Sequence, residues 1–233
     1  MQTTARPLYV QVREALTSRI ADGLWKAGAA LPSEFALAAE LGVSQGTVRK
    51  ALDSMAADHL VERQQGRGTF VPEHTEARAL FHFFKMRDAA GAPILPQIVS
   101  QSARMTTAEV FPGFDGARHL WQISRVRAVH GKPAMVEHVF VSPDHFTDLT
   151  EATALPNALY AYYQSTAGIS IARAEDRLMA VPAPTDVAKA LALSPGTPLL
   201  KVDRTAYDLR DRVIELRHSW FDTTHQSYAA SLR

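Results

Sequence analysis

The feature that most constrains this 233-residue chain is a spacing over residues 33–52, S-E-F-A-L-A-A-E-L-G-V-S-Q-G-T-V-R-K-A-L. Two helix-length segments are separated there by only Gly42-Val43-Ser44. Helices joined so tightly must cross closely. The first needs a small residue at the crossing, the turn needs a residue that tolerates positive φ, and the second needs an apolar residue that locks the pair. Ala38, Gly42 and Val48 meet these demands at mutually consistent positions. Ser33, behind Pro32, is placed to cap the first helix and Ser44 the second. Val48, Leu52 and Met55 fall at i, i+4 and i+7, which gives the second helix a buried face as far as about His59.

Upstream, Leu8, Val12, Leu16, Ile20 and Leu24 repeat every four residues and predict a helix from Pro7 to about Trp25, with Gly23 near its end. Downstream, L-V-E-R-Q-Q-G-R-G-T-F-V predicts a hairpin with Gly66 and Gly68 at its tip. Residues 72–79, P-E-H-T-E-A-R-A, carry neither period and divide a domain at 1–71 from one at 80–233. Beyond them the texture changes. F-H-F-F-K-M and I-L-P-Q-I-V-S-Q-S-A-R predict paired strands about the turn A-A-G-A-P, and H-L-W-Q-I-S-R-V-R-A-V and A-M-V-E-H-V-F-V a strong hairpin. L-P-N-A-L-Y-A-Y-Y-Q-S-T-A-G reads as a helix, S-I-A-R-A-E-D-R-L-M-A-V as a strand and T-D-V-A-K-A-L-A-L as a short helix. P-L-L-K-V-D-R-T-A-Y-D and V-I-E-L-R-H-S-W-F-D close the chain as strands about L-R-D-R. Helices mixed with hairpin-joined strands predict an α+β chain, with three helices and a wing followed by an antiparallel sheet.

With Val48 and Leu52 inward, the first turn of the third helix presents Gln45, Thr47, Arg49 and Lys50. Gln can bond the N6 and N7 edge of adenine, Thr can meet a thymine methyl, and Arg can reach guanine or phosphate. Gly46 lets a backbone approach closely, and the free N–H groups of a helix start favour phosphate. Arg67, between Gly66 and Gly68, is placed for backbone or minor-groove contact from the wing. Double-stranded DNA is the expected partner. Bulk charge does not announce it: the net charge is +1, and residues 1–72 hold 8 basic and 7 acidic side chains. The absence of cysteine excludes disulfides and thiolate metal sites. No apolar signal core opens the chain and no apolar run approaches about 18 residues, so a cytoplasmic protein without a membrane span is expected. No pair of histidines has metal-ligand spacing, no nucleotide fingerprint accompanies the G-x-G at 66–68, and no nucleophile elbow occurs, so neither metal nor cofactor is expected.

Residues 7–71 resemble the winged helix–turn–helix of the GntR family of bacterial transcription regulators, through P-L-Y-V-Q-V, L-P-S-E, L-A-A-E-L-G-V-S, T-V-R-K-A-L and G-R-G-T-F-V. Residues 80–233 resemble the effector-binding (UTRA) domain of its HutC subfamily, which has a chorismate-lyase-like fold, through R-V-R at 125–127, G-K-P-A-M-V-E at 131–137, A-L-Y at 158–160 and V-I-E-L-R at 213–217. The first resemblance implies DNA contacts from Ser33, Glu34, Ser44, Gln45, Gly46, Thr47, Arg49, Lys50, Gly66, Arg67 and Gly68. It breaks at two positions where relatives commonly carry Arg, here Phe35 and Gln45. Gln45 is expected to move preference towards adenine at one position per half-site, and Phe35 to pack against the first helix.

Period two in the R-V-R strand puts Ile123, Arg125, Arg127 and Val129 on one face, and Glu215, Arg217 and Ser219 share a face further on. A three-residue loop at 131–133 would place Arg127 opposite Glu137. These charges either pair across the sheet and hold nothing or frame a site for a small anion, since Arg offers carboxylate or phosphate a bidentate fork. The resemblance favours the site, with Arg125, Arg127, Glu137, Tyr160, Glu215 and Arg217 as effector contacts. Relatives that sense sugar phosphates commonly have Ser where Ala158 stands, so a small carboxylate is the expected effector. The resemblance thus implies a homodimeric repressor released from its operator by an anionic metabolite. The rival is a lyase-like enzyme acting on a small carboxylate, fused to a DNA-binding module.

Overall fold

The computed structural model describes residues 6–75, 85–107, 113–114 and 119–230. Helix α1 spans Leu8–Ala21 and buries Val12, Leu16 and Ile20, whereas Leu8 and Leu24 stay 58% and 63% exposed. A spacing of four overshoots the 3.6-residue turn by about 40° per step, so Leu8 drifts off the buried stripe, and Leu24 lies beyond the helix, which ends at Ala21 rather than near Trp25. Helix α2 (Glu34–Leu41) starts where the Oγ of Ser33 accepts the N–H of Ala36 at 3.2 Å and stops at Gly42, whose φ is 65°. Helix α3 (Gln45–Ala57) starts where the Oγ of Ser44 accepts the N–H of Thr47 at 3.2 Å. Leu37, Ala38, Val48, Leu52 and Met55 form with α1 the core of this unit. The wing is β1 (Glu62–Gln64) against β2 (Gly68–Phe70), and residues 29–31 hold the far side of β2 through Leu31 N–H to Thr69 O (2.8 Å) and Val71 N–H to Ala29 O (2.9 Å).

The rest of the chain is built on strands β3 (Met86–Asp88), β4 (Gln97–Thr107), β5 (His119–Val129), β6 (Lys132–Val141), β7 (Ile171–Pro182), β8 (Pro198–Asp208), β9 (Val213–Phe221) and β10 (Gln226–Tyr228). Helix α4 (Leu159–Ala167) lies between β6 and β7, and α5 (Thr185–Leu191) between β7 and β8. Six strands make one antiparallel sheet in the order β4-β5-β6-β9-β8-β7. Helix α4 packs over Ile123, Val139 and Val141, while α5 packs with Val136. These residues have opposite parity along β6, so the two helices cover opposite faces of the sheet.

Three local expectations are corrected. β3 does not pair with β4; it pairs with β10, Met86 opposite Tyr228, while Phe81–Phe84 fall outside the described residues. The β5–β6 connection is a two-residue turn, His130-Gly131, with φ of 50° and 76°, as a tight hairpin of the primed type requires. A bulge between Arg127 and Ala128 then shifts the register, so Arg125, not Arg127, stands opposite Glu137, and Arg127 faces Met135. In the segment 72–79, His74 is buried, its N–H donates to Gln164 Oε1 (2.8 Å), and its Nε2 accepts from Ile171 N–H (3.1 Å). Residues 76–79 of that segment lie outside the described residues.

Candidate functional site

The candidate residues fall in two clusters of charge. The first lies where the starts of α2 and α3 meet the wing. Glu34 is its hub: its Oε2 accepts from Arg49 Nε (2.9 Å) and from Gln45 Nε2 (3.5 Å), and its Oε1 from Arg63 Nη2 (3.2 Å). The hydrogen bond from Arg49 holds the Glu34 carboxyl below its ordinary pKa against the opposing effect of burial, helped by the charges of Arg49 and Arg63. Arg63 also donates to the Arg49 carbonyl and pairs with Asp53 at 3.1 Å. Sequence reasoning missed Arg63; its place two residues into a strand ending at a glycine tip was the available signal.

The remaining candidates on this surface differ in how free they are. Gln45 and Gly46 are exposed. A Cβ on Gly46 would meet only Ser44 Oγ at 3.8 Å, so the fold does not demand glycine there, and a helical glycine costs about 1 kcal/mol. Thr47 is half-buried and its hydroxyl lies 2.9 Å from Ser44 Oγ, so both hydroxyls serve the cap first. Lys50 folds back over the Tyr9 ring (4.3 Å), and Arg67 lies over Phe70 (5.6 Å) between Gly66 and Gly68. Phe35 does not pack against α1: it is 74% exposed. The inward positions of α2 are Leu37 and Ala38, and two residues of helix put Phe35 about 200° from Leu37.

The second cluster is buried in the sheet domain. Arg125, Arg127, Glu137, Glu215 and Arg217 are all nearly or wholly inaccessible to solvent, and Tyr160 with them. Glu215 is saturated: it accepts from Tyr163 (2.7 Å) and Tyr160 (3.3 Å) and takes both arms of Arg217 at 2.9 and 2.8 Å. It therefore has no room for the ligand hydroxyl or amine that an unpaired glutamate would take. Burial and the Glu215 charge push both tyrosine hydroxyls well above their ordinary pKa.

Glu137 is shared instead among Arg125 (3.4 Å), Arg127 (3.5 Å) and Arg217 (3.5 Å), long contacts for ion pairs. Burial would raise its pKa, but Arg127, Arg217 and Arg125 outweigh burial and bring it down to about 2. Burial lowers Arg127 to about 10 despite the pull of Glu137, because three guanidiniums divide one carboxylate. The arginines complete their shells on carbonyls: Arg125 Nη2 on Pro156 (2.9 Å) and Asn157 (3.0 Å), Arg127 Nε on Pro96 (3.1 Å), and Arg127 Nη2 on Asn157 Oδ1 (2.8 Å).

Four buried atoms here have no hydrogen-bond partner: Arg125 Nε and Nη1, Asn157 Nδ2 and Glu137 Oε2. The first turn of α4 opens beside them without a side-chain cap, because residue 158 is alanine. On the far side, Arg204 is clamped bidentately by Asp176 (2.7 and 2.7 Å), which also accepts from Tyr228. A cavity of only about 20 Å³ lies beside Arg204, Arg217 and Ser219, so this part of the cluster is closed. Asn157, Tyr163, Arg204 and Asp176 were not foreseen; Tyr163, one turn after Tyr160 on the same helix, was within reach of the period-3.6 argument.

The profile of the UTRA domain matches residues 99–226, more than half of the chain, and that of the bacterial regulatory proteins of the gntR family matches residues 8–71. The chain belongs to the GntR family. This GntR-family chain is 28% identical over 227 residues to the HTH-type transcriptional regulator SmoD of Agrobacterium fabrum, covering 97% of each chain. It is 28% identical to the mannosyl-D-glycerate transport/metabolism system repressor MngR of Escherichia coli, over 94% of this chain and 92% of that one. A solved ligand-binding domain of a GntR-family transcriptional regulator from Bordetella bronchiseptica matches with a TM-score of 0.57 at 28% identity, over 66% of this chain and 99% of that one. The α+β architecture expected from sequence is the observed one, and the regulator joins GntR-type helices to a UTRA effector domain. No helix among its described residues is long and apolar enough to cross a membrane.

Proposed function

We propose that this regulator is a homodimeric repressor that leaves its operator when a small carboxylate binds among Arg125, Arg127 and Asn157. In this reading residues 1–71 hold DNA, 72–79 connect and 80–233 sense the effector. Ser33, Glu34, Ser44, Gln45, Gly46, Thr47, Arg49, Lys50, Gly66, Arg67 and Gly68 form the DNA face, joined by Arg63. The observation that carries the effector reading is the set of donors without a hydrogen bond, Arg125 Nη1 and Asn157 Nδ2, with Arg125 Nε held only by a long 3.4 Å contact to Glu137, buried beside an uncapped helix start. Buried donors without a hydrogen bond are rare and costly, and an anion can accept from these donors together. The charge count agrees: among the described residues, Arg125, Arg127, Arg204 and Arg217 face only Glu137, Asp176 and Glu215. Glu137 Oε2, also without a hydrogen bond, can accept a hydroxyl or amine of the same ligand.

Carboxylate is favoured over phosphate because Ala158 offers no hydroxyl to a third oxygen. The relative named for mannosyl-D-glycerate works in a system whose compound carries a carboxylate. The route to DNA runs through β8 and β9. They carry Arg204, Glu215 and Arg217, and the turn joining them reaches the first domain, where Leu209 packs against its core and Arg210 pairs with Asp22. A cleft of about 970 Å³ beside this contact leaves room for the turn to move against α1 and the end of α3. Ligand controls DNA only in so far as it prefers one placement of the two units.

Calorimetry with D-glycerate, benzoate and inorganic phosphate, on wild type and Arg127→Ala, tests the reading. A carboxylate that binds wild type should lose at least tenfold in affinity with the variant, as the loss of a charge-assisted pair worth about 1.5–3 kcal/mol requires. Unchanged affinity removes Arg127 from the site, and a preference for phosphate overturns the carboxylate assignment.

A further inference from the structure

Phe35 is the most exposed large apolar side chain among the described residues, and no ring or cation there packs on it. Its position makes that exposure informative. The residue before it, Glu34, touches Gln45, Arg49 and Arg63, so the first turn of α2 is flush with the first turn of α3 and with the wing. Phe35 therefore stands as an apolar ridge at the edge of a polar and basic surface. Ser33 caps its helix without its help, and Leu37 and Ala38 supply the core contacts, so the fold makes no use of the ring.

We infer that Phe35 reads DNA by apolar contact, its ring meeting the C5 methyl of a thymine at the rim of the major groove entered by α3. This rests on the DNA-binding reading and extends it from hydrogen-bonding side chains to a hydrophobic one. The major groove presents a single apolar group, the thymine methyl, and an aromatic ring is a suitable reader for it. The partner is duplex DNA rather than a protein because the ridge adjoins Gln45, Arg49 and Arg63, a mixed donor surface suited to base edges and phosphates.

The test is a thymine-to-deoxyuridine scan, which removes one methyl at a time without changing base pairing. The duplex is selected from random sequence with the full-length protein. Each singly substituted duplex is titrated with wild type, Phe35→Ala and Phe35→Leu, with thermal melts to check that the variants fold. One thymine per half-site should cost wild type three- to tenfold in affinity when its methyl is removed. Phe35→Ala should bind the unsubstituted duplex correspondingly more weakly and ignore that methyl, and Phe35→Leu should keep part of the penalty. If Phe35→Ala pays the same penalty as wild type at every thymine, the ring reads no methyl and the proposal falls while DNA binding stands. If the full chain selects no duplex at all, both readings fall.

Discussion

The protein holds two networks of arginine and glutamate that differ chiefly in their access to water. Around Glu34, Arg49 and Arg63 remain partly or largely exposed, with side-chain exposures of 57% and 36%. Around Glu137, every member is buried. Solvated arginines can exchange one partner for another at little cost, as a surface that must trade a carboxylate for phosphates requires. Buried arginines cannot, because desolvation costs several kcal/mol per ion, of the order of 5, unless a partner is in place. The surface network is thus suited to reversible contact with a polyanion. The interior one is suited to selecting a ligand that completes it, since leaving it incomplete is costly.

The largest effect that follows is on stability. Glu137→Ala strips three guanidiniums of the carboxylate they share and should destabilise the protein by about 3–5 kcal/mol, read by urea denaturation. A loss below about 1 kcal/mol would mean that water or a ligand already neutralises the arginines, and the contrast between the two networks would break. The same residue sets an acid limit. Its pKa falls from an ordinary 4.5 to about 2 in the folded protein, so its stabilisation is complete above pH 4.5 and is lost as pH falls towards 2. Glu137→Ala should lack that part of the acid dependence, which distinguishes it from the general protonation of surface carboxylates.

A smaller effect, on specificity, sharpens the other side of the comparison. Gln45 is exposed and weakly held at 3.5 Å from Glu34, so it is free to turn to a base edge. Gln45→Arg should replace adenine by guanine at one position per half-site, a change of about 1–3 kcal/mol in discrimination. Parallel operator selections with wild type and variant check this; identical preferred sequences would show that residue 45 does not read bases.

How much of this was legible beforehand follows the physics of each part. The helix–turn–helix was readable to the residue, Ser33, Gly42 and Ser44 falling where capping and left-handed backbone demand them, because those rules are local. The sheet strands were readable by alternation, but the Arg125–Glu137 register was not, because the bulge at Arg127 leaves no mark in a period-two pattern. Sequence order puts strand β3 beside its neighbour β4, yet it pairs with a strand nearly 140 residues away, which only tertiary packing decides. In the buried cluster Arg125, Arg127, Glu137, Glu215 and Arg217 announced themselves as charges on otherwise apolar strands. Asn157, Tyr163 and Arg204 did not, because their roles depend on which elements the fold brings together. Phe35 misleads for a related reason: an apolar residue at the start of a short helix reads as core until the helix's inward face is known.

The smallest stability effect belongs to Glu34, and it separates the two networks most cleanly. Glu34→Gln removes a half-buried charge whose two arginine partners are solvated, so the folded protein should lose no more than about 1 kcal/mol. Its consequence lies in DNA binding. In wild type the carboxylate occupies Arg49 and Arg63, and each must leave it, wholly or in part, to meet a phosphate. In Glu34→Gln both cations are released, and a negative charge facing the polyanion is gone. Non-specific affinity should rise, and the slope of log affinity against log salt should steepen by about 0.9 for each further phosphate that a chain neutralises. Specificity should fall at the same time, because the carboxylate that fixed the direction of Arg49 is missing. Salt titrations on a selected and a scrambled duplex measure both. A slope unchanged on both duplexes would mean that these arginines do not meet phosphate, and that the surface network, like the buried one, exists to bind itself.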